Sequence, residues 1–383
     1  MTLKTVRNKC CICLRGRLQR VETLVDFPVY MGVTEEPRNR DLKDHQVWAI
    51  CELCSCIQLA ELLPLPTLYK KNHHKEVVGQ VWKRHHDKFA QFIMATRPTN
   101  ILEIGGAHGY LAKQITSSNL KINYTLVEPD SNLVSSNIRL VNGYIEDHLI
   151  EVLNQDTVVH SHVLEHIYNP VEFFEKVASH MRIGSRLIIS IPNMAQLLRL
   201  GGMNSLNFEH TYLLTPEHLQ MFFCNFGFNE VRREDFESHS IFFSAVKTNK
   251  SIKTLSPYEE SMRRTVMLQS TEFLHLIKRT RKFVRKVNQV ISETDYRTFL
   301  FGAHIFSQAL VSMGLNETRV EGVLDNASSK QGSRLYGTNL KVFSPEAALR
   351  DREKVSVILR ASHYQSEIIN QLREINPNVM IIE

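Results

Sequence analysis

The stretch that decides the fold is NILEIGGAHGYLAKQI, residues 100–115. Apolar Ile101, Leu102 and Ile104 surround one acid, Glu103. Glycines follow at 105, 106 and 109, and from Tyr110 the pattern is helical. A strand that gives way through a glycine turn to a helix brings backbone close to a ligand at the carboxyl edge of a sheet. The G-x-G-x-x-G fingerprint of dinucleotide sites is absent. Glu103, just before the first glycine, would repel a phosphate and suits a ligand that carries a positive amine.

The neighbouring sequence repeats the alternation. Apolar residues at helical spacing (Val81, Trp82, Phe89, Phe92, Ile93) precede the opening strand. INYTLVEPD, IRLVNGYIED, DTVVHSHVLEH and RLIISIPN follow as strands or strand ends, with PVEFFEKVASHM as a helix. Strands alternating with helices predict an α/β core with a parallel sheet covered on both faces. Glu128 ends the second strand, where a carboxylate accepts both hydroxyls of a ribose. Ribose plus a cationic amino-acid tail describes S-adenosylmethionine.

LEIGGAHG resembles the first motif of class I methyltransferases, with Ala107 in place of the middle glycine; ordinary backbone angles are expected there. VEPD, NGYIED, VVHSHVLEHIYNP and MRIGSRLIISIPN match the later motifs in order. The resemblance implies a cofactor-binding set of Glu103, Gly105, Ala107, Gly109, Glu128, Pro129, Ile145, Glu146 and His162. Glu128 would hold the ribose, and Ile145 and Glu146 would flank the adenine.

Six of the seven cysteines lie in the first 56 residues. CCIC and CELC supply two C-x2-C knuckles, Cys10/Cys13 and Cys51/Cys54, with 37 residues between them. Two such turns brought together make a closed four-thiolate site suited to structural Zn2+. The segment between them is expected to form short strands of its own. A redox pair or buried apolar cysteines is the competing reading. Cys11 and Cys56 are spares, and Cys224 in MFFCNFGF is expected in the core.

WAICELCSCIQLAELLPLPTLYKKN resembles the second knuckle of the nucleotide-sugar C-methyltransferase family, with Gln58, Leu59, Leu68 and Tyr69 at its marks. The closing segment also resembles that family, through Asp325-Asn326, Lys330-Gln331-Gly332, Gly337-Thr338 and Ser344-Pro345. It implies a catalytic segment in LNFEHTYLL. Glu209 and His210 match the family's Glu-His pair, His166 a histidine that faces the sugar, and Tyr69 a tyrosine over the cleft. Asn207 stands where relatives often have an aromatic hydroxyl.

Carbon is a poor nucleophile unless a neighbouring ketone stabilises an enolate, so carbon methylation needs a base and an oxyanion partner. Histidine titrates near neutrality, and His210 is the expected base. Glu209 would orient a hydroxyl or the imidazole. His166 and Asn207 would donate to the oxyanion or to sugar hydroxyls. An O- or N-methyltransferase on a sugar or small metabolite is the second reading; His210 would then deprotonate a hydroxyl. A nucleic-acid modifying or binding protein is the third, using the zinc module and the basic run over 263–286, part of which reads LIKRTRKFVRKVNQV. NHHK and RHHDK read as solvated or capping residues.

The 383 residues carry a net charge of +6, mild for this length and no signature of a nucleic-acid partner. No apolar run is long enough to cross a bilayer. MTLKTVRNKCCIC has charge but no apolar core after it, so no secretory signal is expected and the chain reads as cytoplasmic. The expected organisation is a zinc-binding module over 1–75, a methyltransferase domain over 76–248, a basic helical connector over 249–292 and a Rossmann-like domain over 293–383. The expected small-molecule partner is a nucleotide-linked sugar.

Overall fold

The computed structural model describes residues 4–69, 80–249, 256–360 and 365–383. NHHK lies outside them, as does the expected boundary at 75/76.

The opening stretch folds as its pattern predicts, into a strand Asn100–Ile104 and a helix Tyr110–Ser118. Around it lies a seven-stranded sheet. Its order is Phe228–Phe236, Ser240–Lys247, Arg186–Pro192, Thr157–Ser161, Asn100–Ile104, Asn123–Val127, Ile138–Val141. The last five pair in parallel; Ser240–Lys247 runs antiparallel to both of its neighbours. Ile101, Leu102, Val158, Val159, Ile188 and Ile189 are each fully buried, because helices cover both faces. Chain order reverses between the strands ending at Ile104 and Ser161, which puts the switch point, where such sheets hold ligands, beside Gly105 and His162.

The N-terminal cysteines sit on a four-stranded sheet of order Tyr212–Leu213, Ile57–Leu59, Lys43–Cys51, Leu18–Pro28. Its two long strands span 11 and 9 residues, longer than the short strands expected between the knuckles. Tyr212–Leu213 reaches this sheet from residues far along the chain, pairing Tyr212 with Gln58 and Leu213 with Ile57. The segment LNFEHTYLL is thereby tied to the cysteine-bearing half.

The basic run lies on a 38-residue helix, Ser256–Glu293. Its apolar residues Phe273, Leu276, Ile277, Val284, Val287 and Ile291 are buried. Trp48 packs on Phe273 at 5.5 Å between ring centroids, so this helix braces the N-terminal sheet rather than merely connecting domains. Beyond it, a five-stranded parallel sheet of order Val342–Phe343, Gly322–Leu324, Arg297–Phe301, Val355–Ile358, Met380–Ile382 closes the chain. Among the described residues no helix is long and apolar enough to cross a membrane. Cys224 is half-buried rather than in the core.

Candidate active site

Three clusters lie at or near the carboxyl edge of the seven-stranded sheet or against it. The first is the glycine turn. Gly105 and Gly109 have φ of +72° and +67°, which a side chain resists. A Cβ on Gly105 would stand 2.6 Å from Val163 Cγ2, and one on Gly106 2.6 Å from Glu103 Cδ. Ala107 departs from the expectation of ordinary angles: its φ is +47°, in the left-handed region. Its N–H donates to Glu128 Oε2 at 2.9 Å, which ties the turn to the end of the next strand. Glu103 is buried and accepts from the Tyr124 hydroxyl at 2.9 Å. Burial pushes its carboxyl up to about 7, against the Tyr124 hydrogen bond and helped by the Glu128 charge. Pro129 and Glu146 are exposed, whereas Ile145 packs into the core. The cradle left by Gly105 and Gly109, with an amine-seeking acid below and Glu128 beside it, fits a nucleoside with a cationic tail.

The second cluster gathers the residues expected to do chemistry. The Tyr69 hydroxyl lies 3.3 Å from His166 Nδ1, and Glu209 Oε2 lies 3.8 Å from the same nitrogen. The His166 and His210 rings meet edge-on at 5.0 Å. Burial pushes the His210 imidazole below its usual value, opposed by the Glu165 carboxylate; it is neutral at pH 7. Asn207 is 3% exposed, and its Oδ1 accepts from the backbone N–H of Glu209 at 2.8 Å and of His210 at 2.7 Å. Its carbonyl thus shapes the turn that presents the Glu-His pair. Arg7 holds the same segment from the N-terminal side, donating to Thr211 O at 2.8 Å and Tyr168 O at 2.7 Å.

Glu165 was not singled out in the sequence. It is fully buried, its carboxylate oxygens have no hydrogen-bond partner, and it groups with His166 and His210 within 4.8 Å. The signal was an acid directly before a candidate histidine in VLEH. RHHDK was also misread: His85 is fully buried, not solvated. The helical period places it on the sheet-facing side of Gln80–Met94 with Phe89 and Phe92.

The third cluster is the four cysteines. Cys10 Sγ lies 3.5 Å from Cys54 Sγ, and Cys13 Sγ 3.6 Å from Cys51 Sγ. Around zinc at roughly 2.3 Å per thiolate, sulfurs stand about 3.8 Å apart, so the four fit such an ion. Backbone amides of Ile12, Gly16 and Leu53 donate to sulfurs at 3.3–3.4 Å. Hydrogen bonds from Cys13, then Cys51 and Cys54, pull the Cys10 thiol far down. Gly16 escaped notice in the sequence; a Cβ there would stand 2.1 Å from Cys51 Sγ.

Residues 73–232 match the methyltransferase domain family, and residues 241–379 match the C-methyltransferase C-terminal domain family. No curated protein matches the chain. Among solved structures, an O-methyltransferase family protein from Burkholderia thailandensis is similar at 11% identity and TM-score 0.35, over 44% of this chain and 58% of that one. The N-methyltransferase NodS from Bradyrhizobium japonicum WM9 is similar at 12% identity and TM-score 0.33, over 44% of this chain and 97% of that one. Human N-acetylserotonin methyltransferase in complex with S-adenosylmethionine is similar at 15% identity and TM-score 0.33, over 46% and 61%.

Proposed function

The chain belongs to the S-adenosylmethionine-dependent methyltransferases that end in a C-methyltransferase C-terminal domain, and we propose that it methylates a carbon of a nucleotide-linked keto sugar. One observation carries this reading: two imidazoles, His166 and His210, meet between the carboxylates of Glu165 and Glu209, with a tyrosine hydroxyl over them. Simple alkylation of a hydroxyl does not call for that many proton-handling groups.

When bound, S-adenosylmethionine would supply an electrophilic sulfonium methyl, transferred in line to a carbanion. Glu103 attracts the cofactor's amine, Glu128 accepts from the ribose, and His162 and the glycine turn border the transfer cleft. Neutral His210 takes the proton from the carbon beside the ketone. The C–H electron pair moves onto the ketone oxygen, where His166 and Tyr69 donate. Glu165 stabilises the imidazolium that forms. His210 would return its proton to water once the enolate carbon has taken the methyl that the bound cofactor supplies. Positioning contributes the rest, since the leaving group is already good.

A cleft of about 470 Å³ supports a phosphorylated substrate. Arg279, Lys282, Lys286 and Arg360 line it beside Phe283 and Leu200, seven residues before Asn207. Four cations around one aromatic ring suit a nucleoside diphosphate. Zn2+ is assigned to Cys10, Cys13, Cys51 and Cys54 as a structural ion with no open position.

The test is isotope exchange. With nucleotide-linked 4-keto sugars in heavy water, the protein is expected to exchange the proton beside the ketone, even without cofactor. His210→Ala is expected to lose exchange and methyl transfer together, by about 10²–10⁴-fold. Methylation of a sugar hydroxyl with no exchange on any keto sugar would replace this reading with oxygen methylation.

A further inference from the structure

We propose a second metal site, distinct from the four cysteines: His85, His162 and His239 bind a divalent transition ion of the Zn2+ class. The three residues come from separate parts of the fold. His85 is on the helix Gln80–Met94, His162 on the turn after Thr157–Ser161, and His239 on the hairpin between Phe228–Phe236 and Ser240–Lys247. Their ring centroids form a near-equilateral triangle, 5.3, 5.4 and 5.5 Å on its sides. Their ligating atoms lie within 4.8 Å of one another. Around a zinc at roughly 2.0–2.1 Å, three nitrogens stand about 3.4 Å apart, a change that small ring rotations supply.

Three further observations point to a cation. First, a ligand atom is at hand: His85 is fully buried and its Nδ1 has no hydrogen-bond partner. Second, the imidazoles turn nitrogens onto two hydroxyls. His85 Nε2 lies 2.9 Å from Ser190 Oγ, and His162 Nε2 and His239 Nδ1 lie 2.8 and 2.6 Å from the same Ser240 Oγ. Ser240 Oγ can donate to one of these nitrogens and accept from the N–H of the other, which fixes both rings in orientation, as hydroxyls behind metal-ligating imidazoles do. Third, Glu165 Oε1 lies 3.4 Å from His162 Nδ1, although the carboxylate is fully buried and has no hydrogen-bond partner. An acid behind a histidine whose other nitrogen faces a metal is the usual support of such a ligand, and it supplies the negative charge that three neutral imidazoles lack. The Trp82 ring closes the group, 4.7–5.2 Å from each of the three. A bound ion would staple the helix Gln80–Met94 to the end of Thr157–Ser161 and to the hairpin that closes Phe228–Phe236 on Ser240–Lys247.

The experiment uses the full chain with its cysteine site zinc-loaded, freed of loosely held metal and titrated with Co2+ at pH 7.5. One equivalent is expected to bind with visible bands of nitrogen and oxygen ligation and no thiolate charge-transfer band. His85→Phe and His239→Ala are expected to lose that equivalent, while each keeps its cysteine-bound zinc, which reports that the chain is folded. Glu165→Gln is expected to weaken Co2+ by about 10–100-fold. No visible bands in the wild-type protein, thiolate charge-transfer bands, or unchanged binding in the folded variants would each overturn the proposal.

Discussion

Glu103 titrates where a carboxylate ordinarily does not. Its pKa of about 7 comes from burial under Gly106, with only the Tyr124 hydroxyl to favour the charged form. Below that pH the carboxyl is neutral and no longer attracts an amine. The affinity for S-adenosylmethionine is therefore expected to fall as pH drops from 8 to 6, by at most tenfold per unit. Calorimetry across that range checks it. Glu103→Gln is expected to bind weakly at every pH; a wild-type profile in that variant would exclude the role. Ala107 shows a different cost at the same turn. A left-handed alanine is disfavoured by about 1–2 kcal/mol, and its N–H bond to Glu128 offsets part of that.

At the scale of elements, a pair of two- and three-residue strands carries much of the site. Tyr212–Leu213 hydrogen-bonds to Ile57–Leu59, Thr211 N donates to Glu165 O at 2.9 Å, and Tyr212 donates to Leu164 O. These contacts set the Glu209–His210 turn against the segment that bears Glu165 and His166. The knuckles depend on a similar closeness. Gly16→Ala would place a methyl 2.1 Å from Cys51 Sγ, so the loop must shift and the four sulfurs must part. The variant is expected to hold well under one zinc per chain and to unfold its N-terminal sheet at lower temperature. Metal analysis and thermal melting check both, and full zinc occupancy would show that the loop yields freely.

Across the whole molecule, the two ends of the chain are joined by a buried ion pair. Both terminal nitrogens of Arg334 reach Asp41, at 2.6 and 2.8 Å, with the side chains 14% and 1% exposed. The pair sits beside a short antiparallel pairing of Val33–Thr34 with Arg334–Leu335. Arg334→Ala leaves the buried Asp41 carboxylate with the Gly337 N–H but no cation and is expected to cost about 3 kcal/mol in denaturant unfolding; Arg334→Leu with Asp41→Leu should recover most of it. Histidine burial sets a second global property. His85, His160, His162, His210 and His218 are all held below the usual value by burial, His160 to about 3. Unfolded, each takes up a proton below about pH 6.5; folded, each does so only at lower pH. Stability is therefore complete above that pH and expected to fall as pH drops through it, by up to about 1.4 kcal/mol per unit per histidine. His160→Leu should flatten the slope measured by denaturant titration between pH 6.5 and 5.

What the sequence determined by itself is whatever depends on near neighbours. Alternating strand and helix periods, the glycine turn at 105–109 and the two C-x2-C knuckles are local patterns, because a turn, a helix face and a pair of thiolates each need only a few residues in register. Tertiary structure alone decided which distant groups meet. In the chain Glu165 is marked only by the histidine that follows it and His85 only by its place in a helical period, and neither mark says what chemistry surrounds them. The surroundings of His85 are made by His162, Ser190 and His239, which lie 77, 105 and 154 residues further along, and Glu165 meets His210, 45 residues on. The length of the strands between the knuckles, the left-handed turn at Ala107 and the backbone role of Asn207 were likewise set by packing and hydrogen bonds that no local pattern encodes. A buried charge or imidazole takes its chemistry from what surrounds it, and the fold supplies those surroundings.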